Sequence, residues 1–189
     1  KIQNYRNILR RYIRDYGENE DINRAVQVLE RAKRDALKAQ DKTELIGYEG
    51  MASNAYFEVL PILILNQKTD FPFHGRNRRP PKDAVNAMLS FAYTLIANDV
   101  AAALETVGLD PYVGFLHTLR PGRTSLALDM MEELRAYLGD RFILSLINKR
   151  QISVKDFLFQ GDNGVVMTDK GKKTFITAWQ ARKREVIIH

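Results

Sequence analysis

The sequence contains no cysteine, which excludes disulfides and thiolate metal ligands and fits a reducing compartment. Histidine is scarce too, at three residues, so a zinc site built on several imidazoles has little to draw on. No apolar run reaches the roughly 18 residues of a bilayer span. The longest stretch, Val59 to Leu65, is far shorter and contains Pro61. There is no secretory pattern: Lys1-Ile2-Gln3-Asn4-Tyr5 has no apolar core behind its charge and no initiator Met. The other end, Val186-Ile187-Ile188-His189, stops on an apolar run. Both ends predict a segment cut from something longer. Also missing are a Gly-x-Ser-x-Gly elbow, a Walker loop and a dinucleotide fingerprint, which removes three common enzyme classes.

What is present is basic. Lys and Arg number 29 against 23 Asp and Glu, giving a net charge of +6 and favouring an anionic partner, nucleic acid first. At 189 residues the chain supports one full hydrophobic core, so residues 1–189 are read as one domain. No internal repeat or low-complexity segment interrupts it.

The apolar spacing is helical almost throughout. Tyr5, Ile8 or Leu9, Tyr12, Ile13 and Tyr16 recur every three or four residues before the stop at Gly17. Asp21–Ala39 repeats the pattern, and its run Glu30-Arg31-Ala32-Lys33-Arg34-Asp35 reads as a solvated face. A third helix runs from about Thr43 to Leu60 and ends near Pro61. Asn66–Arg79 is a loop holding Arg76-Asn77-Arg78-Arg79. A long helix follows with Pro81 in its first turn, Asp83 near its positive end, and Gly108 past its end. Thr124 or Ser125 caps a helix to Leu138, Gly139-Asp140 breaks it, and Arg141–Lys149 restarts. Phe157-Leu158-Phe159 and Val165-Val166-Met167 flank Gly161-Asp162-Asn163-Gly164 as the one hairpin, and Asp169–Glu185 is a basic last helix. The expectation is an all-α domain with one short β-hairpin.

Three places could carry chemistry. Glu49 borders the face formed by Leu45, Tyr48, Ala52, Ala55, Tyr56 and Val59, where an unpaired carboxylate is costly. Beside it Gly50 and Ala52 keep the helix surface thin enough for another backbone or a ligand to approach. Taken alone, Glu49 reads more readily as a rim salt bridge to an arginine. His117 closes the apolar segment Tyr112–Leu116 just before Arg120-Pro121-Gly122-Arg123, and taken alone reads more readily as a satisfied structural histidine than as a ligand. Asp129, Glu132 and Glu133 lie opposite Ala127, Met131, Leu134 and Leu138, either as a solvated acidic face or as the floor of a cation site. Carboxylates with one imidazole suit a hard or borderline divalent ion better than zinc.

Read in series, these blocks resemble a known family. Tyr48-Glu49-Gly50-Met51-Ala52 with Ala55-Tyr56-Phe57, then Arg79-Pro80-Pro81-Lys82-Asp83-Ala84-Val85-Asn86-Ala87-Met88-Leu89-Ser90-Phe91, are similar to the CRISPR-associated spacer-acquisition integrase of type I systems. So are Gly108-Leu109-Asp110-Pro111, Gly114-Phe115-Leu116-His117 and Arg120-Pro121-Gly122-Arg123 leading into Asp129-Met130-Met131-Glu132-Glu133.

The resemblance implies a metal triad of Glu49, His117 and Glu132, with Asp129 as a second acidic position assisting catalysis and Mg2+ or Mn2+ as the ion. It implies a helical catalytic domain whose usual N-terminal β-rich companion is absent here. It also implies a homodimer, a small ferredoxin-like adaptation partner and a prokaryotic cytoplasmic setting. The implied reaction is attack of a spacer precursor's 3′-hydroxyl on a phosphodiester of the CRISPR repeat, in antiviral defence. Arg76, Arg78, Arg79, Arg120 and Arg123 are candidate contacts to the double-stranded DNA, with Lys170, Lys172, Lys173, Arg182 and Arg184 on the last helix. The competing readings are a non-catalytic DNA-binding scaffold and, more distantly, a hydrolase of small phosphate esters.

Overall fold

In the computed structural model, which describes residues 1–188 and side chains as far as Val186, helices fill most of the chain. They are α1 (Ile2–Tyr16), α2 (Glu20–Ala36), α3 (Lys42–Val59), α4 (Ala84–Thr106), α5 (Ser125–Leu134), α6 (Arg141–Asn148) and α7 (Asp169–Ile188). The strands β1 (Phe157–Phe159) and β2 (Val165–Met167) pair antiparallel, Leu158 opposite Val166. The expected all-α domain with a single hairpin is what the chain forms. Of the apolar C-terminal run, His189 lies outside the described residues.

The chain divides into two compact units. The first comprises Lys1–Val59 with Tyr93–Tyr137, and the second Leu60–Ala92 with the residues from Leu138 onward.

In the first unit, α2 packs against α1 and α3. The three-and-four spacing puts Tyr5, Leu9, Ile22, Leu29, Ala32, Ala52 and Tyr56 entirely out of solvent. Each large side chain among them contributes about 1.5–3 kcal/mol by leaving water. Tyr5 and Tyr56 stack with ring centroids 3.9 Å apart and planes 13° from parallel, fixing α1 to α3. Asn19 Oδ1 accepts from the Ile22 amide at 3.1 Å and starts α2, with Glu20 and Asp21 in the positive first turn. At Gly17, φ is +93°, a conformation that ends α1.

The second unit centres on aromatic rings. Phe142 meets Phe175 edge-on at 5.0 Å and Trp179 at 5.3 Å. The hairpin turn comes so close to Pro80-Pro81 that a Cβ on Gly164 would lie 2.6 Å from Pro81 O. The segment expected as a loop is pinned at its start. Asn148 Oδ1 accepts from the Leu65 amide at 2.8 Å, and Gln67 Nε2 donates to Ile147 O at 2.9 Å.

Three local expectations differ from the fold. Helix α4 starts three residues beyond Pro81, because Asp83 acts as its cap: Asp83 Oδ1 accepts from the Asn86 amide at 2.7 Å. Gly139-Asp140 does not break the helix. Residues Arg135–Asp140 form a turn of π-helix, and the helical backbone continues from α5 into α6. Glycine costs a helix only about 1 kcal/mol, less than burial of Leu138, Phe142 and Ile143 returns. Finally, α4, at 23 residues, is long and apolar enough by composition to cross a membrane, which Asn86, Ser90 and Asn98 hid in the sequence. Its first half is lodged in protein, with Ala84, Val85, Ala87, Met88, Leu89 and Ala92 buried.

Candidate active site

Glu49 projects from α3 and is half-buried. A Cβ on neighbouring Gly50 would meet nothing within 4 Å, so the thin helix surface there faces open space and not another segment of this chain. The Glu49 partner is a lysine, not an arginine: Lys1 Nζ donates to Glu49 Oε1, which also accepts from Ser53 Oγ at 3.1 Å. Burial pushes the Glu49 carboxyl up. The Lys1 ammonium and the Ser53 hydroxyl outweigh it and hold the group below the ordinary carboxylate range.

The same ammonium reaches α5. Lys1 Nζ lies 2.7 Å from Glu132 Oε2, while Arg135 Nη2 pairs with Glu132 Oε1 at 2.9 Å. The Lys1 contact is an ion pair without hydrogen-bond alignment, so Oε2 is a buried carboxylate oxygen lacking a hydrogen bond among the described residues. Arg135 in turn lies over the Tyr93 ring, 4.4 Å from its centroid. Of the two adjacent acids, Glu132 is therefore the one that shares a cation with Glu49. Glu133 is exposed, and its backbone oxygen accepts from Asn4 Nδ2 at 2.7 Å. The acidic face is thus not uniformly solvated: Asp129 and Glu132 turn inward, while Met130 and Leu134 are exposed.

His117 and Asp129 form a second cluster. Asp129 Oδ1 accepts from the His117 amide at 2.9 Å and faces its Nδ1 at 2.6 Å; Oδ2 accepts from the amides of Phe115 at 2.5 Å and Leu116 at 2.9 Å. Desolvation raises the Asp129 carboxyl. The hydrogen bonds from the His117 ring and from three successive amides outweigh it and keep the group below its usual value. An ionised carboxylate only accepts, so the ring nitrogen Nδ1 is the donor to Asp129. The clamp requires Gly114, where a Cβ would sit 2.7 Å from Ser125 Cβ and 2.9 Å from Asp129 Oδ2.

The structure therefore brings the four candidates together as two pairs, Glu49 with Glu132 and His117 with Asp129. Among the described residues no three His, Asp or Glu side chains converge on one point. The residues missed in the sequence are Lys1, Ser53, Arg135 and Gly114. Arg135 and Ser53 were findable as neighbours three and four positions from Glu132 and Glu49; nothing local marks Lys1.

The basic candidates divide as well. Arg76 donates to Asn86 Oδ1 at 2.8 Å and Ser90 Oγ at 3.1 Å, and Arg123 donates to Thr118 Oγ1 at 3.2 Å and Ser125 Oγ at 3.3 Å. These two fasten their own loops. Arg78, Arg79 and Arg120 are exposed.

The family profile described as "CRISPR associated protein Cas1" matches residues 1–181. A CRISPR-associated endonuclease Cas1 of Chlorobaculum tepidum is 50% identical over 192 residues, covering 100% of this chain and 56% of that protein. One from Leptospira interrogans is 45% identical over 192 residues, with 100% and 75% covered. The chain thus spans little more than half of the first relative and three quarters of the second. Among solved structures, a Cas1 protein from Thermotoga maritima superposes with a TM-score of 0.82 at 28% identity, over 99% of this chain and 57% of that one. A casposase bound to integration product gives 0.76 at 25% identity, over 96% and 50%. With nearly every residue inside the family profile, a long relative at 45% identity and the same fold in a solved member, the chain belongs to the Cas1 family of CRISPR-associated proteins.

Proposed function

We propose that this chain is the catalytic part of a metal-dependent DNA endonuclease and integrase that inserts spacer DNA into a CRISPR array. The observation that carries the reading is the meeting of Glu49 from α3 and Glu132 from α5 around one cation, in a Cas1-family chain. The donor types suit Mg2+ or Mn2+: two carboxylates that meet at one cation, one of them with a buried oxygen lacking a hydrogen bond among the described residues, and the imidazole of His117, held separately by Asp129. Glu49, Glu132 and His117 would hold the ion, which when bound polarises a phosphoryl oxygen and lowers the pKa of an attacking hydroxyl.

The rest is done by the protein's own groups. Asp129 fixes the His117 ring and tautomer through Nδ1, the usual support for a ligating imidazole. Arg135 holds one oxygen of Glu132 so that the other faces the cation. In strand transfer the incoming 3′-oxygen forms a new P–O bond and an existing P–O3′ bond breaks. The attacker's proton is passed on, finally to the leaving oxygen. One phosphodiester replaces another, so no energy source is needed, and water in place of the 3′-hydroxyl gives cleavage. As partners, the reading carries double-stranded spacer precursor and repeat DNA, a second copy of the protein, a small ferredoxin-like adaptation protein, and a cytoplasmic setting. The test is strand transfer by the full-length protein on a branched or pre-spacer duplex. Activity that appears with Mg2+ or Mn2+ and vanishes with EDTA is expected. Binding without cleavage or joining under any metal would leave the DNA-binding scaffold as the better account.

The division among the arginines gives a separate expectation. Replacing Arg78, Arg79 and Arg120 with Ala weakens DNA binding and reduces the salt dependence of log K by roughly one unit for each lost phosphate contact. Arg76→Ala acts on the stability of its loop and leaves that slope in place. Titrations at several salt concentrations decide it; an unchanged slope in the triple variant removes these residues from the DNA surface.

A further inference from the structure

Lys1 is an unusual neighbour for two proposed metal ligands. Its side chain is only 9% exposed, and its ammonium touches both Glu49 and Glu132, residues otherwise brought together only by the fold. A second cation, Arg135, sits on the far oxygen of Glu132. Two carboxylates are therefore met by two fixed cations. A long aliphatic stem carries Nζ into place past the Tyr5 ring, 5.8 Å from its centroid. Without Lys1, two half-buried carboxylates would face each other and repel.

The same contact limits what else can bind. A divalent ion on Glu49 and Glu132 would need the carboxylate oxygens that the ammonium already occupies, and would lie in contact with a like charge. We propose that Lys1 is the resident counter-ion of this carboxylate pair, and that a divalent cation binds by displacing it. The inference rests on the metal reading above and adds a built-in competitor to it. Without metal, Lys1 offsets the repulsion between Glu49 and Glu132, and only molecules in which its ammonium has swung out are competent to take the ion. Apparent metal affinity is then lower than the intrinsic affinity by the competent fraction.

The experiment is Mn2+ titration of the full-length protein without DNA, followed by electron paramagnetic resonance of free Mn2+ and by thermal unfolding. Lys1→Met keeps the stem and removes the charge. Lys1→Gln does the same with a polar end, should the methionine variant fold poorly. If the ammonium is out in about a tenth of molecules or fewer, either variant binds Mn2+ roughly tenfold or more tightly than the wild type. Each also unfolds at a lower temperature without metal and is stabilised more by Mn2+, whereas Lys1→Arg stays near the wild type. Mn2+ affinity that is unchanged or weaker in both uncharged variants, with binding still abolished by Glu49→Gln and Glu132→Gln, overturns the competitor role and leaves the metal site standing. Mn2+ binding that survives Glu49→Gln and Glu132→Gln overturns the metal reading itself, and the inference with it.

Discussion

Glu49→Gln or Glu132→Gln leaves the full-length protein unable to cut or join DNA, with a rate loss well beyond about 100-fold. Even the outer partners of metal ligands cost 10–100-fold when removed, and these residues are the proposed ligands themselves. Glutamine keeps the size and one oxygen of each side chain but removes the charge that holds a divalent ion. Affinity for duplex DNA changes little, because the exposed arginines proposed to meet phosphate lie elsewhere in the chain. Glu133→Gln serves as the internal comparison. Its carboxylate is on the exposed side of α5, so activity is retained. Loss of activity in the Glu133 variant together with survival in the Glu132 variant would move the site by one residue. Normal cleavage and joining in Glu49→Gln and in Glu132→Gln would end the proposed mechanism.

Arg135→Ala is expected to cost about 3 kcal/mol of stability. The side chain is 10% exposed, pairs with Glu132 at 2.9 Å and lies over Tyr93. Truncation strips a largely buried carboxylate of its donor and removes the stem that packs beside it. Arg135→Lys restores a charge but not the planar fork, and recovers only part of the loss. Urea unfolding measures both. A change below about 1 kcal/mol in the alanine variant would mean that the pair is screened by solvent as an exposed one is. Strand transfer should weaken in parallel with stability, since the oxygen that Arg135 holds fixes the direction in which Glu132 offers the other.

Helix existence was readable because burial in α1 and α2 follows the period of three and four with few exceptions, and the hairpin because Gly161 and Gly164 adopt the positive φ its turn needs. The failures were at places where long-range packing decides. Gly139 looks like a stop until Leu138 and Phe142 are seen to be buried on either side of it. Asp83 looks like a first-turn acid until its hydrogen bond to the Asn86 amide shows it to be the cap. At the site, the residue types and spacings of Glu49, His117, Asp129 and Glu132 mark them as candidates, and the family resemblance selects among them. Their division into two pairs depends on Lys1, far away in sequence, and on a glycine whose lack of a side chain matters only once Asp129 is against it.

The Asp129 clamp also divides its loop into stretches with different freedom to change length. Three consecutive amides, those of Phe115, Leu116 and His117, all end on one carboxylate. A residue inserted or deleted there would shift the register of every donor and swing the imidazole away. Leu119–Gly122, by contrast, is exposed and turns outward beyond the point where Arg123 fastens Thr118. An insertion or deletion in that outer turn should therefore leave the histidine in place, whereas one between Gly114 and His117 should not.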